Sequence, residues 1–215
     1  MAQRYFVTGT DTGVGKTVLS ALLCAALDAS YWKPIQTGTE VDSDSTTLKL
    51  LAELTEERVL PEVYQFVSAI SPHLAAQRAG VRIDLAKIKL PAGIPPLIIE
   101  GAGGVFVPVN ERELMVDLMR QLGLPVLLAA RSSLGTINHT TLSLAALRDA
   151  GVVVAGVVMI GAPNIENRAA IEEYGKVNVV GEIPWLADLN RAVLMEIFEA
   201  RFDQTLFRPL AQATA

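Results

Sequence analysis

The residues of this chain that could do chemistry lie first in a glycine-rich stretch near its start. The run YFVTGTDTGVGKT places Gly13, Gly15, Lys16 and Thr17 directly after a short apolar segment. Glycines allow consecutive backbone N–H groups to turn toward phosphate oxygens, while a lysine adds positive charge and a threonine hydroxyl can bind Mg²⁺. The pattern therefore predicts a phosphate-binding loop.

The flanking sequence supports this interpretation. The β-prone residues 5–7 precede the loop, and a helical pattern over residues 18–27 follows it, so that a helix dipole would favour an anion there. One position departs from the usual phosphate-loop pattern, because Thr10 stands where a glycine is expected and Gly9 lies one place earlier. The alternatives are a glycine-rich turn without a ligand, and a dinucleotide-binding fingerprint that would lack its third glycine.

A second group of candidate residues follows the aromatic segment SYW. Lys33 stands before Pro34, which has no backbone N–H and so ends strand pairing. Ligands of open α/β sheets bind beyond the carboxyl ends of strands, so Lys33 and Thr37 are predicted to face the phosphates. The alternative for Lys33 is a solvated surface lysine. Asp44 precedes a helical pattern, and its spacing alone favours a helix cap over a metal ligand.

A third candidate is the carboxylate of Glu100, in the stretch PLIIEGAGG. This residue ends the apolar run 97–99 and is followed by Gly101, Gly103 and Gly104. A carboxylate at a strand end beside a phosphate loop could hold Mg²⁺ directly or through water, and the glycines would allow a ligand to approach the backbone. The alternative is a surface glutamate at a strand end.

A fourth group lies in RSSLGTINHT, where Gly135, Thr136 and Asn138 open a long helix that runs to Ala150. The free N–H groups at a helix N-terminus can bind a carboxylate or a phosphate. An ordinary capped helix is the alternative.

Composition bounds the class of protein. The 215 residues fit one domain, and although 51% are hydrophobic, apolar runs such as the one from Val152 are shorter than the ~18 residues of a membrane span. The net charge of −5 provides no basic field for nucleic acid, and the single cysteine, Cys24, excludes an internal disulfide. We expect a cytoplasmic protein without membrane or nucleic-acid partners. The alternation of strand and helix patterns predicts an α/β fold with a mostly parallel sheet.

Taken together, six segments resemble the dethiobiotin synthetase family: YFVTGTDTGVGKT, YWKPIQTG, ISPH, IIEGAGG, LGTINHT and GEIPW. The resemblance spans nearly the whole chain. It implies one P-loop NTPase domain over residues 1–215, with about seven strands and helices on both faces. It also implies a homodimeric cyclo-ligase that uses ATP and Mg²⁺ to close a ureido ring on 7,8-diaminopelargonic acid with CO₂, in biotin synthesis.

The resemblance implies a role for each matching residue. The catalytic residues are Lys33, Lys16 and Thr12; the nucleotide-binding residues are Gly13, Val14, Gly15, Lys16, Thr17 and Val18; the substrate-binding residues are Thr37, Gly135, Thr136 and Asn138; the Mg²⁺ ligands are Thr17, Asp44 and Glu100. Asp44 thereby becomes a metal ligand, with Asp42 as the alternative. The segment that starts at Gly135 matches one that reaches into the partner's site.

Two further features bear on the function. Where the family often has an asparagine that reads adenine, this chain has Met159, Ile160 and Gly161, so an altered base preference is a hypothesis. Partition ATPases, which act as nucleotide-gated switches, share the fold but usually carry a lysine where Thr10 and Asp11 stand here. An amidotransferase would need a nucleophilic cysteine, and Cys24 lies within the helix after the phosphate loop.

Overall fold

The computed structural model describes residues 3–40, 43–94 and 96–207. The strands are β1 (Arg4–Gly9), β2 (Ser30–Trp32), β3 (Ile35–Thr37), β4 (Val59–Leu60), β5 (Tyr64–Phe66), β6 (Leu97–Gly104), β7 (Val126–Arg131), β8 (Val154–Ile160) and β9 (Val179–Ile183). The α-helices are α1 (Lys16–Leu27), α2 (Asp44–Ala52), α3 (Pro72–Arg78), α4 (Met115–Leu122), α5 (Thr136–Asp149), α6 (Ile165–Gly175), α7 (Arg191–Arg201) and α8 (Gln204–Phe207).

Seven of these strands form one sheet, in the order β4-β2-β6-β1-β7-β8-β9. Every neighbouring pair in it is parallel. The carboxyl ends of the strands therefore meet at one edge of the sheet, where β1 lies between β6 and β7 and leads into α1. The prediction of a parallel sheet of about seven strands is confirmed.

Helices cover both faces of this sheet, as predicted. The side chains of β1 alternate: Phe6 packs in one buried cluster, whereas Tyr5 and Val7 pack in the other. The first cluster includes residues of α4, α5 and α6, and the second includes residues of α1, α2 and α7. Strands buried on both faces explain the long apolar runs in the sequence. Among the described residues, no helix is both long and apolar enough to cross a membrane.

The segment around Pro34 differs from a single second strand. β2 ends at Trp32, and β3 pairs with β5 in a separate two-stranded parallel sheet. The Pro34 carbonyl accepts hydrogen bonds from the backbone N–H groups of Val63 and Tyr64. The proline thus marks the point where the chain leaves the main sheet. The short strands β4 and β5 lie on either side of Pro61.

Two expectations about acidic residues are wrong in detail. The cap of α2 is Ser43, whose hydroxyl accepts a hydrogen bond from the Thr46 N–H, so Asp44 is the first helical residue and not the cap. Glu100 does not end its strand, because β6 continues to Gly104 and pairs with β1 as far as Gly9. Both carboxylates are therefore available for partners from other elements.

Candidate active site

The phosphate-loop segment joins β1 to α1 at the carboxyl edge of the sheet, and its glycines are required by its shape. Gly13 and Gly15 have φ values of +69° and +100°, which favour glycine. A Cβ on Gly15 would also lie 2.9 Å from Ile160 Cδ1. Gly9 is required by packing and not by its φ value, because a Cβ at this position would lie 2.6 Å from Val14 Cγ2. The glycine that stands one place early is thus needed to pack the loop on β1.

Lys16 begins α1 and is buried at the floor of this segment. Its Nζ donates a hydrogen bond to the Asp11 carbonyl oxygen at 3.1 Å, which holds the side chain across the loop. Burial lowers the pKa of Lys16, and the nearby charge of Lys33 lowers it further, while Glu100 and Asp44 oppose this effect. An anion bound in the loop would relieve that burial cost by pairing with the ammonium.

Lys33 is the centre of a buried ionic cluster and not a surface lysine. Its Nζ lies 2.5 Å from Asp44 Oδ2 and 3.0 Å from Glu100 Oε1, and only 4% of the residue is exposed. Burial alone would lower the pKa of Lys33, but the two carboxylates outweigh it and the net effect raises the pKa. Asp44 shows the reverse: burial would raise its pKa, and the Lys33 ammonium brings it below its usual value.

Thr17 completes this cluster from α1. Its hydroxyl lies 2.5 Å from Asp44 Oδ1 and 3.2 Å from Glu100 Oε1. A hydroxyl has one hydrogen to donate, so it cannot donate fully to both carboxylates at once. Oxygen atoms of Thr17, Asp44 and Glu100 therefore converge from three different elements, and the positive charge of the Lys33 ammonium stabilises the two carboxylates.

These three residues fit Mg²⁺. The ion prefers oxygen ligands and is usually held by one or two carboxylates together with substrate phosphates. Thr17, Asp44 and Glu100 offer a hydroxyl and two carboxylates next to the phosphate loop. Within the described residues there is no group of three or more His, Cys, Asp or Glu side chains placed to hold a metal ion. A hydroxyl and two carboxylates suit a Mg²⁺ ion that takes its remaining ligands from phosphate oxygens or water. Asp42, the alternative ligand, lies outside the described residues.

Tyr31 and Gln36 also contact the cluster, although the sequence motifs assign neither residue a role. The Tyr31 hydroxyl donates to Glu100 Oε2 at 3.1 Å, and burial raises its pKa well above that of a free phenol. A hydrogen bond from Gln36 contributes to the low pKa of Asp44. Tyr31 could have been predicted to lie near the cluster because it stands two residues before Lys33, and alternate residues of an extended segment point to the same face.

A cleft of about 650 Å³ opens over the cluster and the loop. Ten predicted site residues line it: Thr12, Gly13, Gly15, Lys16, Thr17, Val18, Lys33, Thr37, Asp44 and Glu100. Residues 69–72, which lead into α3, form part of the opposite wall. Val14, also predicted to bind the nucleotide, is not among the residues that line the cleft, and its side chain is buried in the core. The fold therefore brings together in one cleft most of the residues that the sequence singled out.

The Gly135 group is separate from this cleft. Gly135 precedes α5 with a φ of +93°, and no side chain caps the helix. Leu134 next to it is fully exposed. Neither Gly135, Thr136 nor Asn138 is among the described residues that line the cleft of their own chain.

At the other end of the phosphate loop, Ile160 is the last residue of β8 and Gly161 follows it. A Cβ on Gly161 would lie 2.5 Å from Ser132 Oγ and 3.6 Å from Trp185 Nε1. The Trp185 side chain is largely exposed beside it, in the GEIPW segment after β9. This end of the site is thus formed by small and aromatic groups, without an asparagine at positions 159–161.

Comparison with known proteins agrees with this geometry. A family model described as an AAA domain matches residues 3–193. The fold is similar to that of a ParA family ATPase from Chlorobium tepidum, with a TM-score of 0.56, 13% identity and 93% of each chain covered. The cell division ATPase MinD of Pyrococcus furiosus gives a TM-score of 0.54 at 16% identity, over 86% of this chain and 84% of that one. The fold and the phosphate loop define a P-loop NTPase.

Closer relatives specify the family. The ATP-dependent dethiobiotin synthetase of Nitrobacter hamburgensis is 48% identical over 202 residues, covering 94% of this chain and 95% of that protein. The corresponding protein of a Bradyrhizobium species is 47% identical, covering 97% and 100%. The biotin biosynthesis bifunctional protein of Bordetella avium is 52% identical over 84% of this chain and 39% of its own length. This chain belongs to the dethiobiotin synthetase family, a family of ligases, as its motifs predicted.

Proposed function

We propose that this chain catalyses the ATP- and Mg²⁺-dependent closure of a ureido ring on 7,8-diaminopelargonic acid with CO₂, giving dethiobiotin, ADP and phosphate. The observation that carries the proposal is the buried cluster of Lys33, Asp44, Glu100 and Thr17 directly beside a phosphate loop. It combines cations for an anionic intermediate with oxygen ligands for a metal. The identity to dethiobiotin synthetases over nearly the whole chain supports the same substrates.

The first step joins one amine of the diamine to CO₂. The amine nitrogen forms a bond to the carbon, one C=O bond becomes C–O⁻, and a proton leaves the nitrogen, which gives a carbamate. Lys33 lies in the wall of the cleft and can pair with this new negative charge. Thr37 and Thr12, which also face the cleft, offer hydroxyl groups to the substrate.

The second step transfers the γ-phosphoryl group of ATP to the carbamate. A carbamate oxygen forms a bond to the γ-phosphorus, the bond to the bridging oxygen breaks, and ADP leaves. Lys16 and the N–H groups of the loop stabilise the charge on the transferring group. Mg²⁺ held by Thr17, Asp44 and Glu100 would supply positive charge to the phosphates and neutralise both carboxylates, leaving Lys33 for the substrate.

The third step closes the ring. The second amine attacks the carbonyl carbon of the mixed anhydride, the C–O bond to phosphate breaks, and the amine loses a proton. Water in the site could hydrolyse the anhydride before the ring closes, so a deep cleft that excludes water would protect this intermediate. Lys33 and Lys16 stay beside the departing phosphate, and their positive charges stabilise the negative charge that it gains as the C–O bond breaks.

We propose that the site is completed by a second copy of the chain. The N-terminus of α5, with its uncapped N–H groups, suits the carboxylate of the substrate, but it lies outside the cleft of its own chain. A homodimer in which Gly135, Thr136 and Asn138 of one protomer reach the cleft of its partner would join the two halves. The exposed Leu134 beside this turn supports a partner surface.

The base preference belongs to the same proposal. Without an asparagine at positions 159–161, no side chain there can distinguish adenine from other bases by paired hydrogen bonds. We expect CTP and GTP to support ring closure as well as ATP does, within about tenfold. Rates below about a tenth of the ATP rate, a difference of roughly 1.4 kcal/mol, would contradict this. Residues 1–215 would act as one cytoplasmic domain that needs neither membrane nor nucleic acid.

The test of the reaction follows one carbon atom. The protein is incubated with ATP, Mg²⁺, 7,8-diaminopelargonic acid and ¹³C-bicarbonate, and the organic product is analysed by mass spectrometry. We expect dethiobiotin with one ¹³C atom in its ureido group. If the diamine were recovered unchanged while ATP was consumed, the proposed reaction would be contradicted and the alternative of a nucleotide-gated switch would be favoured.

A further inference from the structure

The two oxygens of the Glu100 carboxylate have different partners. Oε1 faces the cluster: it accepts a hydrogen bond from Lys33 Nζ at 3.0 Å, and the Thr17 hydroxyl oxygen lies 3.2 Å from it. Oε2 points the other way and accepts a hydrogen bond from the Tyr31 hydroxyl at 3.1 Å. Tyr31 and Glu100 are 0% and 1% exposed, so no solvent competes for this bond.

The backbone fixes the distance between these two residues. Tyr31 lies in β2 and pairs with Ile98 of β6, and Trp32 pairs with Ile99, the residue before Glu100. The Tyr31 ring is packed in the core cluster on the α1 face, which includes Leu48 of α2. The phenol is therefore a rigid donor whose hydroxyl oxygen is held within hydrogen-bond distance, 3.1 Å, of Glu100 Oε2.

We propose that Tyr31 is a positioning residue that orients the Glu100 carboxylate so that only Oε1 is offered to the metal and to Lys33. The Tyr31 ring packs in the core, whereas its hydroxyl would affect metal binding only through its hydrogen bond to Glu100. With Oε2 engaged, Glu100 can bind a cation through one oxygen and cannot rotate to chelate it with both. Partners of metal-binding carboxylates commonly change metal affinity or activity about 10- to 100-fold when they are removed.

This inference rests on the proposed metal site, and it can be tested without the ring-closing reaction. The binding of Mn²⁺ to the full chain in the presence of a non-hydrolysable ATP analogue is measured by electron paramagnetic resonance. Tyr31→Phe removes one hydroxyl and keeps the ring. We expect Mn²⁺ to bind at least about tenfold more weakly, and the Mg²⁺ concentration needed for half-maximal turnover to rise by a similar factor, while KM for the diamine changes less than twofold.

The matched control is Tyr5→Phe. Tyr5 is also a buried strand tyrosine, and its hydroxyl donates to the Leu206 carbonyl oxygen at 3.0 Å, away from the cluster. This variant loses the same chemical group and should bind Mn²⁺ like the parent chain. If both variants weaken Mn²⁺ binding equally, the effect of Tyr31 is general destabilisation and the inference is wrong.

A double-variant comparison separates Tyr31 from the site itself. Glu100→Gln should weaken Mn²⁺ binding on its own, and adding Tyr31→Phe to it should change binding less than about threefold, because the residue through which Tyr31 acts is already altered. This pair remains informative if Tyr31→Phe alone does not fold, since the double variant leaves no buried carboxylate unpaired. A further loss of tenfold in the double variant would overturn the inference. Normal Mn²⁺ binding by Glu100→Gln would instead refute the proposed metal site.

Discussion

The ammonium of Lys33 lies between two carboxylates that come from different parts of the chain. It is 2.5 Å from Asp44 Oδ2, at the start of α2, and 3.0 Å from Glu100 Oε1, within β6. Asp44 is one-third exposed toward the cleft, whereas Glu100 is buried. Lys33 therefore pairs with one buried carboxylate and with one that faces the cleft. We expect it to contribute both to stability and to catalysis.

Replacement of Lys33 separates those roles. Lys33→Ala should reduce kcat for ring closure at least about 10²-fold, because it removes the charge that we propose stabilises the carbamate and the transferring phosphoryl group. Nucleotide affinity should change less than about threefold, since Lys16 and the loop remain. The two carboxylates lose their partner, so the free energy of unfolding should fall by about 3 kcal/mol without loss of the fold. Steady-state rates measure kcat, calorimetry measures ATP affinity, and urea unfolding measures the free energy of unfolding.

Lys49→Ala is the control for this variant. Lys49 lies on α2 and pairs with Glu56 at the surface, so its removal should leave both turnover and nucleotide binding unchanged. An equal loss of nucleotide affinity and turnover in Lys33→Ala would contradict the assigned role, because it would make Lys33 a general phosphate ligand.

The choice between Asp44 and Asp42 as metal ligand has a direct test. Asp44→Ala should raise the Mg²⁺ concentration required for half-maximal turnover at least about tenfold, because it removes an oxygen that lies beside Thr17 and Glu100. Asp42→Ala should leave it unchanged. Turnover is measured across a Mg²⁺ series at saturating ATP. The reverse ranking of the two variants would move the ligand to Asp42.

Gly15 is expected to be essential for nucleotide binding. Gly15→Ala places a Cβ 2.9 Å from Ile160 Cδ1 at a φ of +100°, which must shift the loop that carries the phosphate-binding N–H groups. ATP affinity should fall at least about 10²-fold. Gly151→Ala is the control, because Gly151 also has a positive φ of +72° but no atom lies within 4 Å of its Cβ position. That variant should lose about 1 kcal/mol of stability and bind ATP normally. Loss of binding in both would indicate strain and not loop contact.

A subunit-mixing experiment tests the shared site. Lys33→Ala and Asn138→Ala should each be inactive as homodimers, since in the proposed dimer each variant lacks one part of every site. In a hybrid dimer one site carries both defects and the other carries neither. Equal mixing, with exchange of subunits, should therefore restore about one quarter of the parent activity. A mixture that stays inactive, although native mass spectrometry shows hybrid dimers, would place Asn138 outside the partner's site.

Much of the site could be predicted from sequence because it depends on local rules. Gly13 and Gly15 are needed for backbone shape, and Lys33 stands where Pro34 ends a strand, so both features follow from neighbouring residues. The role of Asp44, in contrast, could not be predicted from its neighbours in the sequence. Serine and aspartate are equally good caps, and only the packing of α2 against α1 decides that Ser43 caps the helix while Asp44 faces Lys33.

The features that sequence did not indicate depend on contacts between distant segments. β4 has two residues, and its position at the sheet edge comes from pairing with β2. The bond between Tyr31 and Glu100 joins residues 69 positions apart. Neither the position of β4 nor the Tyr31–Glu100 hydrogen bond is marked by a local sequence pattern, because both depend on how β2 pairs with its neighbouring strands. The position of α5 outside the cleft likewise emerges only when the whole sheet is assembled.

The most direct test of the account is the dependence of phosphate release on the diamine. Phosphate is measured with ATP and Mg²⁺ alone, and again after addition of 7,8-diaminopelargonic acid and bicarbonate. We predict release at least about tenfold faster with both substrates present, and one dethiobiotin formed for each phosphate. Release at the same rate with and without the diamine would contradict the account and would leave a P-loop NTPase whose nucleotide hydrolysis serves a conformational change.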